Sequence, residues 1–536
     1  MKRISMGLLA IICLASIAYA QVPEIISNDL RVNYAYKTCV TADSIYYFVG
    51  HDGDYDWELW RTNGTPEGTY QVANVFQGGQ AYPNELTMVG DELFFMASDD
   101  SGTEQLYKSD GTAEGTEWVF DVDPEKKEIY HMLTSAGGLL YFRTYRPSTY
   151  TELWVSDGTT ENTHLVLDIC GDELVSFPHE LTEFEGSLVF IAEDCETADG
   201  TLYRTEGLNG PVVQVGGQRV GGLMVAGDHL YFHSNWVEYG SELAASVGGS
   251  IDVTRISDIY PGEWGADIYH ITQVGDLLFF RAYEPDHGAE LWSYSLISAT
   301  VAFVKDINPG ANNSSFPSEL IAFKGRLFFS ANDGVHGEEL WVSDGTEVGT
   351  YMLKNINEEP GAVAYHSYPA RFFVTDDLLY FVADDGIHGP ELWQTDGTAD
   401  GTVMTADIWA SGNQGSDPGG FAEVGDYLVF NAWYGKRTLL RLKIHNTSTT
   451  GLENNLSEPA LFRIYPNPAH AVLYMEPCQE TGFQYQVFDL KGREVMNGQL
   501  LDAGRVTLDI SMLPPGLYML RARNTGSCQT VRFAVQ

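Results

Sequence analysis

The feature that most constrains this chain is a twelve-residue phrase that returns along most of its length. It reads ELWRTNGTPEGT at 58–69, ELWVSDGTEVGT at 339–350 and ELWQTDGTADGT at 391–402. An apolar triplet precedes each such segment and recurs at intervals of about 48 residues, ending at Phe48, Phe95, Phe142, Phe190, Phe232, Phe280, Phe329, Phe381 and Phe430. A fixed period of this length predicts one structural unit that is repeated and stacked on its neighbours.

Residues 317–357 show the predicted unit most clearly. The segments PSELIAF, RLFFSA, ELWVS and TYMLKNI are strand-like, and turns or loops rich in Gly and Asp separate them. Four strands in this order predict one antiparallel sheet with two apolar faces, which must be covered on both sides. Radial stacking covers both, so the prediction is an all-β fold: a β-propeller of eight or nine four-stranded blades at 21–445.

The repeated phrase is interpreted as the specification of a hairpin. Leu340 and Trp341 would fill the space between blades, Asp344 would bond the backbone of its own turn, and Gly345 and Gly349 would supply unusual backbone angles. The blade-hairpin residues predicted in this way are Trp60, Trp154, Trp292, Trp341, Trp393, Asp110 and Asp157. Residues 30–43 and 428–444 supply incomplete units, which predicts that the two ends share a blade.

The motif resembles that of the bacterial ELWxxDGT-repeat proteins over about 30–445. Weaker copies are QLYKSDGTAEGT at 105–116 and ELWVSDGTTENT at 152–163, and the motif is largely lost near 202 and 243. The resemblance implies propeller-like repeats but no established activity.

The first twenty residues predict a secretory signal peptide. Lys2 and Arg3 precede an apolar run that ends in small residues, which places cleavage near Ala20. No other segment has the length of uninterrupted apolar sequence that a spanning helix needs, so we predict no transmembrane segment.

A polar linker at 446–460 leads to a predicted small antiparallel β-sandwich at 461–536. The series YPNP at 465–468, FDLKGREV at 488–495 and PGLYML at 515–520 resembles the type A C-terminal sorting domain of type IX secretion substrates in Bacteroidota. The residues that carry this resemblance are Tyr465, Pro466, Asn467, Pro468, Asp489, Gly492, Gly516 and Tyr518. It implies the type IX secretion machinery as a partner, and a secreted or outer-membrane cell-surface location.

The composition is strongly acidic. Asp and Glu number 74 against 30 Lys and Arg, and the formal net charge is −44. Such a surface repels polyanions, so we expect no nucleic-acid partner.

Acidic loops raise the hypothesis of a calcium site, the one cofactor considered. Its candidate ligands are Asp333, Asp344, Asp384, Asp385 and Asp396. Asp-Gly is also a common turn sequence in β-hairpins, and the acidic loops lack the ligand spacing of an EF-hand loop. His287, His336 and His388 recur at one place in the repeat, which favours a structural role over catalysis because an active centre needs unlike groups at one point.

No GxSxG, HExxH, P-loop or dinucleotide motif is present in the sequence, and no catalytic residue is predicted. We therefore predict a binding or adhesion module for an extracellular glycan or protein. The alternative is a glycan-cleaving hydrolase or lyase, since the SDGT turns resemble the Asp-box turns of sialidase-like propellers. Its site would lie in the divergent units at 195–250, among Trp236, Glu238, Tyr239 and Glu242.

Overall fold

Every element described in the computed structural model is a β-strand. The structure describes residues 23–33, 39–40, 44–53, 57–76, 79–98, 103–123, 132–146, 150–169, 176–193, 199–248, 252–358, 366–410, 414–444, 462–465, 472–477, 483–489, 494–500, 506–510, 513–514, 516–523 and 528–535. The chain has two compact units, Met1–Asn446 and Thr447–Gln536. The predicted signal peptide and linker lie outside the described residues.

The first unit begins with a short strand, β1 (Glu24–Ile25), and continues with sheets that we number in chain order. Sheet 1 contains β2 (Arg31–Val32), β3 (Cys39–Val40), β4 (Tyr46–His51), β5 (Glu58–Thr62) and β6 (Tyr70–Ala73). Sheet 2 contains β7 (Asn84–Val89), β8 (Glu92–Ser98), β9 (Glu104–Ser109) and β10 (Glu117–Asp123). Sheet 3 contains β11 (Thr134–Ala136), β12 (Leu139–Arg146), β13 (Tyr150–Ser156) and β14 (His164–Leu167).

The middle of the unit repeats the same four-stranded antiparallel order. Sheet 4 contains β15 (His179–Phe184), β16 (Ser187–Glu193), β17 (Gly200–Thr205) and β18 (Val213–Gly216). Sheet 5 contains β19 (Gly221–Ala226), β20 (His229–Trp236), β21 (Gly240–Val247) and β22 (Val253–Arg255). Sheet 6 contains β23 (Tyr269–Val274), β24 (Leu277–Glu284), β25 (Gly288–Ser295) and β26 (Thr300–Lys305).

Three further sheets complete the first unit. Sheet 7 contains β27 (Ser318–Phe323), β28 (Arg326–Asn332), β29 (Glu338–Ser343) and β30 (Tyr351–Lys354). Sheet 8 contains β31 (Ala370–Val374), β32 (Leu379–Asp384), β33 (Pro390–Thr395) and β34 (Val403–Ala406). Sheet 9 contains β35 (Gly419–Val424), β36 (Tyr427–Trp433), β37 (Arg437–Lys443) and, as its outer strand, β1.

Sheet 9 therefore joins the two ends of the repeat region. Glu24 pairs in register with Arg441, and their side chains form an ion pair at 2.7 Å. A sheet shared by the ends was predicted, but its composition differs. The strand that completes sheet 9 is β1, whereas residues 31–32 and 39–40 belong to sheet 1, and sheet 9 has its own first strand, β35.

Neighbouring sheets pack face to face through buried apolar side chains. Phe329 and Trp341 of sheet 7 lie in a cluster with sheet 6, whereas Phe328 and Leu340 face sheet 8. Equivalent clusters join each pair of consecutive sheets, and one more joins sheet 9 to sheet 1. From sheet 2 to sheet 9, the first strand of each sheet also contacts the first strand of the next.

The repeated turn is held by bonds within itself. Thr346 donates to Asp344 Oδ1 from both its backbone nitrogen (2.9 Å) and its hydroxyl (2.7 Å), and Gly349 N donates to Thr346 Oγ1 at 2.9 Å. Gly345 has a positive φ of 91°, as predicted. Gly349 does not, so that part of the interpretation was wrong. Position 349 requires glycine for a steric reason, because a Cβ there would lie 2.0 Å from Asp344 Oδ1.

We predict that Gly345→Ala lowers the free energy of unfolding by about 2–4 kcal/mol. The new methyl group would lie 2.5 Å from Leu277 Cδ1 of sheet 6, in addition to the strain of a positive φ. Gly325→Ala is the matched control, because Gly325 has φ 72° but no atom within 4 Å of the added Cβ. Urea unfolding of both variants would measure the difference, and equal losses would contradict a role for the contact with sheet 6.

The second unit consists of two antiparallel sheets. One contains β38 (Phe462–Tyr465), β39 (Val472–Pro477) and β42 (Val506–Asp509). The other contains β40 (Phe483–Asp489), β41 (Glu494–Leu500), β43 (Gly516–Arg523) and β44 (Cys528–Val535). Val487, Leu508 and Leu520 are buried. The described residues contain no helix that is long and apolar enough to cross a membrane.

Candidate functional site

The motif tryptophans are structural. Each packs in the cluster that its sheet shares with the preceding sheet; they are Trp60, Trp154, Trp292, Trp341 and Trp393. The motif aspartates Asp110 and Asp157 accept bonds from Thr112 N at 2.9 Å and Thr159 N at 3.0 Å, as Asp344 does in its own turn.

The five calcium candidates are occupied in local turns. Asp344 and Asp396 each bond the threonine two residues later, and Asp384 Oδ1 accepts from Gly386 N at 2.8 Å. Asp333 and Asp385 each bond the backbone and the side chain of the histidine three residues later. No three His, Cys, Asp or Glu side chains converge on one point in the described part of the chain. These bonds hold the candidates in separate local turns.

The three recurrent histidines cap loops between the second and third strands of sheets 6, 7 and 8. Nδ1 of His336 and of His388 lies 2.7 Å from the carboxylate of Asp333 and Asp385, and His287 contacts Glu284 in the same way. The bond to Asp385 raises the pKa of His388. The same pair in three consecutive sheets supports the predicted structural role.

The glutamate that opens each ELW-like phrase was a candidate from the sequence only at Glu242, and the structure gives it a defined role. It is fully buried in six sheets, at Glu58, Glu152, Glu242, Glu290, Glu339 and Glu391. Glu339 accepts bonds from Ile356 N (2.7 Å), Asn357 N (3.3 Å) and Ser367 Oγ (2.7 Å), which all lie on the connection to sheet 8. The carboxylate therefore fixes the path from one sheet to the next.

Glu242, a candidate for a catalytic acid, is one of these structural glutamates. It accepts bonds from Ser257 Oγ (2.5 Å), Ile259 N (3.0 Å) and Tyr260 N (3.0 Å). Tyr239 stacks on Arg255, with 3.7 Å from Cζ to the ring centroid. These contacts account for two of the four residues proposed for a cleaving site.

The buried glutamates predict an unusual dependence of stability on pH. Burial raises the pKa of Glu152, Glu290 and Glu339 from 4.5 to about 7. Because the pKa is raised in the folded state, the folded protein binds more protons than the unfolded chain between pH 4.5 and 7. The contribution of these glutamates to the free energy of unfolding is therefore largest below pH 4.5 and is lost as the pH rises to 7. We expect the free energy of unfolding to fall over this window, by at most about 3 kcal/mol for each glutamate.

Urea unfolding at intervals from pH 4.5 to 8 would measure this slope. Below the window, the turn aspartates act in the opposite sense: bonds to Thr346 lower the pKa of Asp344, so its contribution is lost as pH falls below 3.8. A Glu339→Gln variant should show a shallower slope than the parent between pH 4.5 and 7. Identical slopes would contradict the assignment.

A different set of polar side chains gathers where the first strands of sheets 5 and 6 begin. Tyr269 pairs in register with Arg281, whose Cζ lies 4.7 Å from the centroid of the tyrosine ring. His233 of sheet 5 is also close to this tyrosine, with 6.1 Å between the ring centroids of His233 and Tyr269. His233 has this room because its register partner is Gly221, where a Cβ would lie 2.3 Å from His233 Nε2.

Burial and neighbouring charges shift the pKa values of this group, as they do for Arg143 of sheet 3. Burial lowers the pKa of Arg281, and the nearby Asp267 opposes that change. Burial likewise lowers the pKa of His233. Ser241 Oγ lies 3.3 Å from His233 Nδ1, but among the described residues no carboxylate bonds the other ring nitrogen, so a Ser-His-acid triad is not formed.

This group was not predicted from the sequence, because the prediction relied on residues that recur from one repeat unit to the next. The residue directly after each anchor phenylalanine takes a fixed place in the second strand; the nine are Val49, Met96, Arg143, Ile191, His233, Arg281, Ser330, Val382 and Asn431. His233 and Arg281 are consecutive members of this series. A variable polar residue at a fixed position of a repeat was the available signal.

The sorting-domain residues are only partly described. Tyr465 ends β38 and Asp489 ends β40, while Gly516 and Tyr518 lie in β43. Tyr518 is buried, and its hydroxyl donates to Pro514 O at 2.8 Å. The predicted motif residues outside the described part are Pro466, Asn467, Pro468 and Gly492.

Residues 463–536 match the family model of the secretion system C-terminal sorting domain. The tail is therefore a type IX sorting domain, as its resemblance implied, and it indicates a secreted, cell-surface protein that interacts with the secretion machinery.

No curated protein shows significant sequence similarity to the chain. Among solved structures, prolyl oligopeptidase B from Galerina marginata is similar at 12% identity and a TM-score of 0.37, over 66% of this chain and 55% of that one. A prolyl endopeptidase is similar at 10% identity and a TM-score of 0.38, over 74% of this chain and 55% of that one. The chain thus spans about half the length of these enzymes.

Proposed function

We propose that residues 21–445 form a closed nine-bladed β-propeller that binds an extracellular glycan at the cell surface. Closure is supported by nine sheets in the described part of the first unit, and by apolar clusters that join each sheet to the next and sheet 9 to sheet 1. The ends of a propeller carry loops on a rigid scaffold, which suits recognition.

The observation that carries the binding role is a set of exposed aromatic side chains at one place in the repeat. Each lies two residues before the first strand of its sheet and has positive φ; they are Tyr82, Phe177, Phe316 and Tyr368. Phe316 is 59% exposed and Tyr368 is 58% exposed. Exposed aromatic rings in a strained backbone indicate a binding surface, and sugar rings present C–H faces that stack on aromatic side chains.

The test is binding of the full chain to a panel of glycans, with and without calcium and with product analysis of every bound glycan. We expect binding of intact glycan, weakened about tenfold or more by Phe316→Ala with Tyr368→Ala. Val348→Ala is the control, because Val348 is 92% exposed in the turn between the third and fourth strands of sheet 7. Cleaved products would replace this proposal with the hydrolase or lyase alternative, and no binding at all would overturn it.

A further inference from the structure

Arg281 differs from the other arginines whose side chains the structure describes in sheets 1 to 9. Arg371 and Arg437 share the carboxylate of Asp417, and Arg143 donates to Pro178 O at 3.0 Å. The guanidinium of Arg281 contacts the ring of Tyr269 and, within the described part of the chain, meets no hydrogen-bond acceptor. Leaving the five donors of a half-buried guanidinium without acceptors costs free energy, unless a ligand or water accepts hydrogen bonds from them.

Near the guanidinium of Arg281 lies a hydrogen-bond acceptor, Asp267, that has no donor among the described residues. Asp267 is exposed, has φ 47°, and among the described residues receives no hydrogen bond, although its charge acts on both Arg281 and His233. Between these two groups, Tyr269 is 47% exposed and has no hydrogen-bond partner for its hydroxyl in the described structure. An exposed aromatic ring thus lies near one set of donors and one acceptor, none of which is hydrogen-bonded within the described part of the chain.

We propose that Tyr269, Arg281 and Asp267 form a subsite for one uncharged sugar residue. The sugar ring stacks on Tyr269, while Arg281 donates to and Asp267 accepts from its hydroxyl groups. A hydroxyl group both donates and accepts, so it satisfies both partners, as no carboxylate or ammonium ligand can. This inference rests on the proposed glycan-binding function and adds to it a location and a ligand class.

The surrounding charge excludes acidic glycans from this subsite. Glu180 and Glu319 lie on the first strands of the neighbouring sheets 4 and 7, where they act on His233 and His270 respectively. Asp267 is the carboxylate whose charge acts on Arg281 itself, and the chain has a net charge of −44. A uronate or sulfated sugar would be repelled by this field.

The experiment measures binding of the full chain to neutral oligosaccharides (of mannose, xylose and glucose) and to galacturonate oligosaccharides, by calorimetry. We expect a neutral oligosaccharide to bind with an affinity that does not change between about 0.01 M and 1 M salt. Arg281→Gln and Asp267→Asn should each weaken binding about tenfold or more, and Tyr269→Ala more strongly, while Tyr269→Phe keeps the stacking surface and most of the affinity.

Lys305→Gln is the matched control, because it also removes one positive charge from sheet 6, but from its exposed outer strand. Asp267→Asn is expected to keep the fold, since Asn tolerates the positive φ of this position. Neutral glycan binding that is unchanged in Arg281→Gln, Asp267→Asn and Tyr269→Ala, or equal binding of galacturonate oligosaccharides, would overturn the subsite and leave the proposed function standing. Binding of no glycan at all would overturn both.

Discussion

Replacing Ile26 and Leu30 together by alanine should lower the free energy of unfolding by about 4–8 kcal/mol. Both side chains are almost fully buried in the cluster between sheets 9 and 1, at 3% and 1% exposure. Both follow β1, on the segment that supplies the outer strand of sheet 9 and continues into sheet 1, so their loss loosens the packing between the ends of the repeat region. An effect of this size is comparable with the whole stability of many domains.

Urea unfolding with hydrogen exchange would check this prediction. Amides of β1 and of β37, its partner strand, should lose protection first, because opening at the shared sheet needs no internal interface to break. Ile297→Ala is the control, since that side chain is 78% exposed in a turn of sheet 6 and should change the free energy by less than about 0.5 kcal/mol. Loss of protection spread evenly over all nine sheets would contradict closure through β1.

The regular part of the fold was predictable from sequence because each unit repeats its own hydrophobic pattern. The strands read from 317–357 correspond to β27, β28, β29 and β30, with small differences at their ends. The closing strand was not predictable, because two residues at Glu24–Ile25 cannot show a period. The first strand of sheet 9 was also missed, since GGFAEV begins with two glycines and lacks the apolar alternation of the other units.

The candidate site was less predictable for two physical reasons. A glutamate beside Leu and Trp suggests an exposed residue, because charged side chains are almost never fully buried unless they are paired. Its partners are backbone amides and a serine hydroxyl on a connection 17 or more residues away, which no local pattern reveals. The Tyr269, Arg281 and Asp267 group is brought together by strand register across a hairpin, so its members share no motif.

Glu339→Ala should destabilise the first unit by about 3–5 kcal/mol at pH 7. The substitution leaves the amides of Ile356 and Asn357 without this acceptor and leaves the buried Ser367 hydroxyl only the carbonyl of Glu338, and it opens a cavity at the connection from sheet 7 to sheet 8. An unsatisfied buried donor costs about 1–3 kcal/mol, so these donors outweigh the gain from removing a desolvated carboxylate. Glu347→Ala is the matched control in an exposed turn of the same sheet.

The outcome also distinguishes two roles for the six buried glutamates. If they hold the connections, Glu339→Ala should lower the urea midpoint at both pH 5 and pH 7, and the deficit should be larger at pH 5, where the parent glutamate is protonated and free of its charge penalty. Destabilisation at neither pH would mean that the apolar clusters alone set the stacking of the sheets. Because the same glutamate recurs in sheets 1, 3, 5, 6, 7 and 8, the first result would identify it as the element of the repeat that orders one sheet against the next.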